Sequence, residues 1–349
     1  MSRFLSARLS ALEAYVPGEQ PKVQGLIKLN TNESPYPPAP GVREAAAEAA
    51  EGLQLYNDLS AGRLIRMLSE ACGVRPDQVA VSNGSDEMLA FAFQAFGEKG
   101  LAFPDITYGF YPVWANLYGL DARIVPLDED FRIHIEDYLA CGRTVVIANP
   151  NAPTGIGMPR DAIARIAESN PKNAVIVDEA YVDFGGESAA GLIDDYDNLL
   201  VVRTFSKSRQ MAGARLGFAL GSRELIDDLN RVRYSFHPYN VNSMTQAAGT
   251  AALADPAYFE NCRTRIMETR EWTKGELKKL GFTVLPSQAN FLFAKPKSMS
   301  GEQFQQMLRK RNILVRRFDL PRIKDYLRIT VGSREQMEIF IQTAKELIA

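Results

Sequence analysis

The chain is poor in the residues that build metal centres and disulfide frameworks. Its 349 residues hold three cysteines, Cys72, Cys141 and Cys262, and two histidines, His134 and His237. An odd cysteine count with wide spacing fits neither a disulfide framework nor a C-x-x-C metal site, and reads as a reducing, cytosolic setting. Two histidines are too few for a His-rich metal centre, so no metal is expected. Charge of one sign is also missing. Lys and Arg number 40 against 42 Asp and Glu, a net charge of −2, which gives no general pull towards nucleic acid or anionic lipid. No apolar run approaches the ~18 residues of a membrane span. The opening stretch, MSRFLSARLSALEAYVP, has no continuous hydrophobic region and carries Glu13, which argues against a secretory signal. No GxGxxG follows a predicted strand and no GxxxxGK[ST] exists, so a nucleotide-dependent oxidoreductase or NTPase is disfavoured.

What is present is an ordinary globular balance, 46 % apolar and 23 % charged, at a length that suggests two domains. Leu5, Leu9 and Leu12 stand at helical spacing and predict a short amphipathic helix packed on the body or on a partner subunit. Residues 17 to 41 are rich in Pro, Asn and Gly (Pro17, Pro21, Pro35, Pro37, Pro38, Pro40) and read as an extended arm with no regular element. GVREAAAEAAEGL and SAGRLIRMLSEACG read as helices, with Ser60 as N-cap of the second. An α/β alternation follows. Strands are expected at DQVAVS, GLAFP, ARIVPL, TVVIANP, NAVIVDEAY and NLLVVRTFS, and helices at SDEMLAFAFQAFGEKG, YGFYPVWANLYG and PRDAIARIAES. The runs VVIA, AVIV and LLVV are continuous rather than alternating, the mark of parallel strands covered on both faces. The expected fold is α/β, a three-layer and mostly parallel sheet flanked by helices. Beyond residue 245 the texture changes to a long charged helix at 256–280. Strands at ANFLFAK, ILVRR and YLRITVG follow, with helices at GEQFQQMLRKR and from Ser333 onward. The division implied is an arm (1–40), a large α/β domain (41–250) and a small α+β domain (251–349).

In an open α/β sheet the working residues gather at the carboxyl ends of the strands. After DQVAVS comes Asn83-Gly84-Ser85-Asp86-Glu87 at a helix start, which is either an anion site built of free N–H groups or a plain turn capped by Ser85 or Asp86. After TVVIA comes the stiff turn Asn149-Pro150-Asn151-Ala152-Pro153-Thr154-Gly155. After NAVIV comes Asp178, a carboxylate in a poorly solvated place that needs a cation, either a structural Arg or Lys or a ligand. After NLLVV comes Arg203-Thr204-Phe205-Ser206-Lys207-Ser208-Arg209. A lysine there is either a solvated surface charge or, in a closed cleft, an amine nucleophile with a depressed pKa. The set as a whole meets the needs of an aldehyde cofactor such as pyridoxal phosphate. It offers an amine (Lys207), a carboxylate for the ring nitrogen (Asp178), donors to the phenolic oxygen (Asn151, Tyr181), an aromatic face (Tyr108) and a phosphate cradle (Gly84, Ser85, Asp86, Ser206, Arg215).

These pieces resemble the fold-type-I pyridoxal-phosphate aminotransferases, and within them most of all the histidinol-phosphate aminotransferase family. The matching segments include LNTNESPYPP, LYND, SNGSDE, TYGFYPVWA, NPNAPTG, VDEAYVDF, VVRTFSKSRQMAGARLGF, ANFLF, ILVRR and LRITVGSREQ, and they span nearly the whole chain in family order. The resemblance implies that Lys207 carries the Schiff base and shuttles the substrate proton. Asp178 would pair with the pyridinium nitrogen, Tyr181 would bond the phenolic oxygen, and Tyr108 would stack on the ring. The backbone of Ser85 and Asp86, the hydroxyl groups of Thr204 and Ser206, and Arg215 would hold the phosphate. Tyr56 would reach the phosphate of a neighbouring subunit, implying a homodimer with shared sites. Arg328 resembles the carboxylate-binding arginine and Arg316 its helper, while Asn32, Glu33 and Tyr36 resemble the arm that covers the substrate side chain. Arg317 should point to the other face of its strand. A structural salt bridge is the alternative for the two arginines. The implied reaction moves the amino group of glutamate to an imidazole ketone phosphate, giving histidinol phosphate and 2-oxoglutarate. One departure stands out: the family often has Asn directly before Pro-Thr-Gly, and here that position is Ala152, so Asn151 is expected to supply the amide. A threonine-phosphate decarboxylase, or an aminotransferase for aromatic or branched substrates, is the rival on the same scaffold.

Overall fold

The computed structural model describes residues 2–348 except 7, 8, 11, 14, 16, 17, 22 and 23. Two sheets organise these residues. The larger has seven strands: β2 (Val79–Ser82), β3 (Leu101–Pro104), β4 (Ala122–Val125), β5 (Thr144–Ala148), β6 (Val175–Asp178), β7 (Leu199–Thr204) and β8 (Gly217–Leu220), in spatial order β2-β8-β7-β6-β5-β3-β4. Neighbours are parallel except β8, which runs antiparallel to both β2 and β7.

The continuous apolar runs explain the sheet. Alternate residues of a strand point to opposite faces. Val145, Ile147, Val175, Val177, Leu199 and Val201 enter one core, while Val146, Ala148, Ile176, Leu200 and Val202 enter the other. The first core is closed by α2 (Gly62–Cys72), α5 (Arg160–Ser169) and α7 (Ser243–Leu253), with α1 (Pro40–Ala50) behind them. The second is closed by α3 (Ser85–Phe96), α4 (Tyr111–Tyr118) and α6 (Arg223–Phe236). This is the expected three-layer arrangement.

The smaller sheet has order β1-β11-β12-β10-β9, from β1 (Ile27–Leu29), β9 (Thr283–Val284), β10 (Phe291–Lys295), β11 (Ile313–Arg317) and β12 (Leu327–Thr330). Helices α8 (Pro256–Lys279), α9 (Gly301–Lys310) and α10 (Arg334–Ile348) cover it through Leu277, Phe304, Leu308, Met337 and Phe340. Helix α8 ties the two parts together. Buried Arg270 donates from Nη1 to the carbonyls of Phe184 (2.8 Å), beyond β6, and Ala289 (2.9 Å), ahead of β10.

Two local expectations change. The stretch read as an arm without regular structure contains β1, which pairs in parallel with β11; its Ile-Lys-Leu backbone finds partners on an open sheet edge. Ser60 does not cap α2. Asp58 accepts from Gly62 N–H at 2.9 Å and from the Ser60 hydroxyl at 2.7 Å, because a carboxylate suits the positive helix start better than a hydroxyl. The helix expected through Leu5, Leu9 and Leu12 includes residues 7, 8 and 11, which, like Pro17 of the arm, lie outside the described residues.

Candidate active site

The carboxyl ends of β2, β3, β5, β6 and β7 converge on a cavity of about 310 Å³ that the small sheet walls on its other side. Strand β8 explains how one loop joins them. It runs against its neighbours, so its first residue, Gly217, pairs with the last residues of β2 and β7, Ser82 and Thr204. Arg215, two residues earlier, is thereby delivered to the cavity.

Ser85 and Asp86 open α3 at the cavity, with Gly84 as its N-cap at φ +85°. A side chain at Gly84 would meet the Arg215 guanidinium, and one at Gly217 would run into the Gly84–Ser85 backbone. Gly217 is therefore required for the close approach of β8 to the helix start, and Gly84 for the positive φ of the turn. Arg215 Nη2 pairs with Asp86 Oδ2 at 3.2 Å and Nη1 reaches Ser206 Oγ at 3.4 Å. The Thr204 hydroxyl donates to Ser206 Oγ at 3.0 Å. Free helix N–H groups, two hydroxyls and a guanidinium around one hollow form a cradle for an anion such as phosphate.

Lys207 projects into the cavity, where its Nζ donates to the Thr31 carbonyl at 3.4 Å. Burial, assisted by Arg328, pushes the Lys207 amine down to about 8, against the pull of Asp86 and Glu33. Asp178 is 5 % exposed. It accepts from the Tyr111 hydroxyl at 3.0 Å and from Ala180 N–H at 3.1 Å, both neutral donors. Burial pushes its carboxyl up to about 6 in spite of these bonds, so the charged form is poorly compensated. Tyr181 lines the cavity with its ring edge on Phe291 and accepts from Asn32 Nδ2 at 2.9 Å. Tyr108 also lines it and donates to Asp86 Oδ1 at 2.8 Å.

From the small sheet, Arg316 of β11 and Arg328 of β12 are direct cross-strand partners and both line the cavity. Arg316 also lies over the Phe318 ring, 5.6 Å from its centroid. Arg328 Nη2 donates to the Asn30 carbonyl at 3.1 Å, while its Nε is buried without a hydrogen-bond partner among the described residues. Burial, reinforced by Arg316, depresses the Arg328 pKa. Arg317 turns away as expected, onto the Lys324 carbonyl at 2.8 Å and Asp319 at 3.2 Å.

The arm contributes unevenly. Asn32 and Glu33 line the cavity, with Glu33 held by Lys28 at 2.6 Å. Tyr36 does not; it lies beneath the Arg265 guanidinium at 4.3 Å. Tyr56 is 83 % exposed and stacks on Tyr239 with centroids 4.6 Å apart, away from the cavity of its own chain. Asn151 is not brought to the cavity either. Its Nδ2 donates to the Ile106 carbonyl at 2.9 Å and its Oδ1 accepts from Thr107 at 2.8 Å. The methyl of Ala152 lines the wall in its place.

Sequence reasoning passed over Tyr111, Tyr15 and Thr31. Tyr111 belongs to a motif that was read, yet nothing local signals that its hydroxyl meets Asp178. Tyr15 stacks on Phe110 at 4.1 Å and lines the cavity, from a segment read only for its leucine spacing.

The fold and this constellation define a transaminase-type site. The chain belongs to the aminotransferase class I and II family, whose model matches residues 24–343. It is 52 % identical over 350 residues to histidinol-phosphate aminotransferase 1 of Bradyrhizobium diazoefficiens, covering 100 % of both chains. It is 50 % identical over 355 residues to histidinol-phosphate aminotransferase 1 of Bordetella parapertussis, again with 100 % of each covered. Among solved structures, histidinol-phosphate aminotransferase from Sinorhizobium meliloti in complex with pyridoxal-5'-phosphate superposes with a TM-score of 0.82. It is 24 % identical and 92 % of this chain and 90 % of that one are covered, a likeness of fold. Among the described residues no helix is long and apolar enough to cross a membrane.

Proposed function

We propose that the chain binds pyridoxal phosphate in this cavity and transfers the amino group of glutamate to an imidazole ketone phosphate, yielding histidinol phosphate and 2-oxoglutarate in histidine biosynthesis. The observation that carries the reading is the shared cavity of Lys207, Asp178 and the facing pair Arg316 and Arg328. The residues suit the cofactor. The cradle of Ser85, Asp86, Thr204, Ser206 and Arg215 takes a phosphate, Asp178 takes a protonated ring nitrogen, and Tyr108 offers its ring face. Bound there, pyridoxal phosphate supplies an electron-withdrawing ring that stabilises the charge left when an amino acid loses its Cα proton.

The chain does the rest. Lys207, whose pKa is lowered to about 8, would hold the cofactor covalently and, once the substrate amine has displaced it, would be the free amine placed to take and return the Cα proton at Nζ. Asp178 keeps a positive charge on the ring nitrogen by being itself a buried anion in want of one. Arg316 and Arg328 accept the carboxylate of one substrate and the phosphate of the other, since a planar guanidinium fork suits either. Asn32 and Glu33 stand at the substrate end. Exposed Tyr56 supports a homodimer in which it reaches the phosphate cradle of the partner copy. The division of work follows the segments 41–250, which hold the cofactor, and 251–349, which bring the arginines, with the arm 1–40 between them. Free Cys72, Cys141 and Cys262 support a cytoplasmic place.

The test is an assay with histidinol phosphate and 2-oxoglutarate, watching for glutamate, on protein whose visible absorption band vanishes on borohydride treatment. A colourless protein that releases no pyridoxal phosphate in alkali overturns the cofactor. Carbon dioxide from an amino-acid phosphate would identify a decarboxylase instead, and turnover of aromatic amino acids alone an aromatic aminotransferase.

A further inference from the structure

Asn32 is bound more completely than a residue that only covers a substrate needs to be. It is 1 % exposed, and every polar group it has is used. Its N–H donates to Thr330 Oγ1 at 2.9 Å, and its Oδ1 accepts from the Thr330 hydroxyl at 3.1 Å. Its carbonyl accepts from Asn290 Nδ2 at 3.1 Å, and its Nδ2 donates to the Tyr181 hydroxyl oxygen at 2.9 Å. These partners come from the end of β12, the residue before β10 and the turn after β6, so Asn32 joins both sheets at the cavity wall. Its backbone is left-handed, φ +56°, a conformation that asparagine tolerates better than most side chains.

The polarity of this network is set by Thr330. Its oxygen takes the Asn32 N–H, so its single proton goes to Asn32 Oδ1. Reversing the amide would leave that proton without an acceptor at a residue 2 % exposed. Nδ2 must therefore face Tyr181 as a donor. The Tyr181 oxygen is then an acceptor, which leaves its own proton free to point into the cavity. Donation into a hydroxyl strengthens that hydroxyl as a donor. No amide on the loop after β5 does this work, since Asn151 is turned onto Ile106 and Thr107 and Ala152 offers a methyl.

We propose that Asn32 is a positioning residue for Tyr181, whose hydroxyl it aims, proton first, at the phenolic oxygen of the bound cofactor. The proposal rests on the cofactor reading given above. The charged groups around Tyr181 are Arg328 of β12, Asp178 of β6, Asp86 of α3 and Lys207 beyond β7. The Asn32 bond and Arg328 both favour its ionised form, against burial.

The experiment compares holoenzyme of wild type, Asn32→Gly, Asn32→Asp and Thr330→Val. Glycine keeps the positive φ and the net charge while removing the amide. Aspartate keeps the shape and turns the donor into an acceptor, so that Tyr181 donates to it and not to the cavity. The readouts are the pH midpoint of the bound cofactor's visible absorption, the affinity of apoprotein for pyridoxal phosphate, and kcat and KM. A donor to the phenolic oxygen keeps the midpoint low. The midpoint is expected to rise by about one unit in Asn32→Gly and further in Asn32→Asp. Thr330→Val should move it in the same direction, and kcat should fall at least about tenfold with KM within about twofold. An unchanged midpoint with a raised KM would make Asn32 a substrate contact and overturn the proposal alone. A wild type with no band and no releasable cofactor overturns the reading beneath it.

Discussion

Replacing Asp178 by asparagine should stabilise the apoprotein at the moment it disables the enzyme. The carboxyl is pushed from 3.8 up to about 6 by burial. The sign follows from linkage. Below the unfolded pKa the group is protonated in both states and costs nothing. As pH rises through the folded pKa the native state must carry a buried anion that water would solvate better, and stability is lost. A displacement of about two units is worth about 3 kcal/mol at 1.36 kcal/mol per unit. Asparagine has one acceptor where the carboxylate accepts from both Tyr111 and Ala180, so one bond worth about 1 kcal/mol is given back. Denaturant unfolding of the two apoproteins should show the variant ahead by about 2 kcal/mol at pH 8 and by well under 1 kcal/mol at pH 5. With pyridoxal phosphate bound the order should reverse, since only the carboxylate answers the ring's positive charge, and turnover should drop by orders of magnitude. An apo variant weaker than wild type at pH 8, or a gap that ignores pH, would refute the claim that this carboxylate is held for a cation brought by a ligand.

Lys207→Ala should abolish transamination while leaving the far-UV spectrum of the fold intact. In wild-type apoprotein the rate of pyridoxal phosphate capture, followed by absorbance, should climb with pH about a midpoint near 8, because a lowered lysine pKa frees the neutral amine there. Arg328→Lys and Arg316→Lys should each raise KM for glutamate and for histidinol phosphate about tenfold or more, through loss of a forked, charge-assisted contact, with steady-state kinetics as the measure. Gly217→Ala should cost roughly 3 kcal/mol in denaturant unfolding and weaken cofactor affinity, because the new methyl meets backbone at Gly84 and Ser85 that cannot move aside.

The large sheet was readable because its central strands β5, β6 and β7 are buried on both faces, and a strand with no polar side must be written as a continuous apolar run. The same logic failed for β8. Its Gly-Phe-Ala-Leu is short and follows directly on Arg215 and Leu216, so the segment reads as the tail of a loop. Its antiparallel course, which delivers Arg215, is a property of the pairing and leaves no periodic trace. Helix α6 was passed over although Ile226, Leu229 and Arg233 fall on one buried face. A buried arginine in that stripe, donating to the Val81 carbonyl at 3.2 Å, blurs the apolar pattern. Strand β1 was hidden among prolines because three residues pairing on a sheet edge need no hydrophobic signature of their own. Lys207, Asp178 and Tyr181 were legible because each stands at or just after the end of a strand that was readable, whereas Arg215 was legible only from the motif around it.

Asn151 marks the limit of that legibility. It has the amide the site was expected to use and stands one residue from the wall. The position of an amide in the sequence does not say which of two demands it answers, and here the Ile106 carbonyl and the Thr107 hydroxyl claim it. The amide that meets Tyr181 comes from Asn32, on a segment remote in the chain and read only as a cover for the substrate. The same holds for charge. Asp178 lies buried among neutral donors, and burial lowers the Lys207 pKa. Each is a poor arrangement for folding, and chains violate local rules of this kind at functional sites. Pyridoxal phosphate answers each in turn, with a ring cation for Asp178 and an aldehyde for an amine that gives up its proton readily, while the substrates bring a carboxylate or phosphate to Arg316 and Arg328. Complementarity at all three points at once is a stronger argument for the proposed function than any single motif.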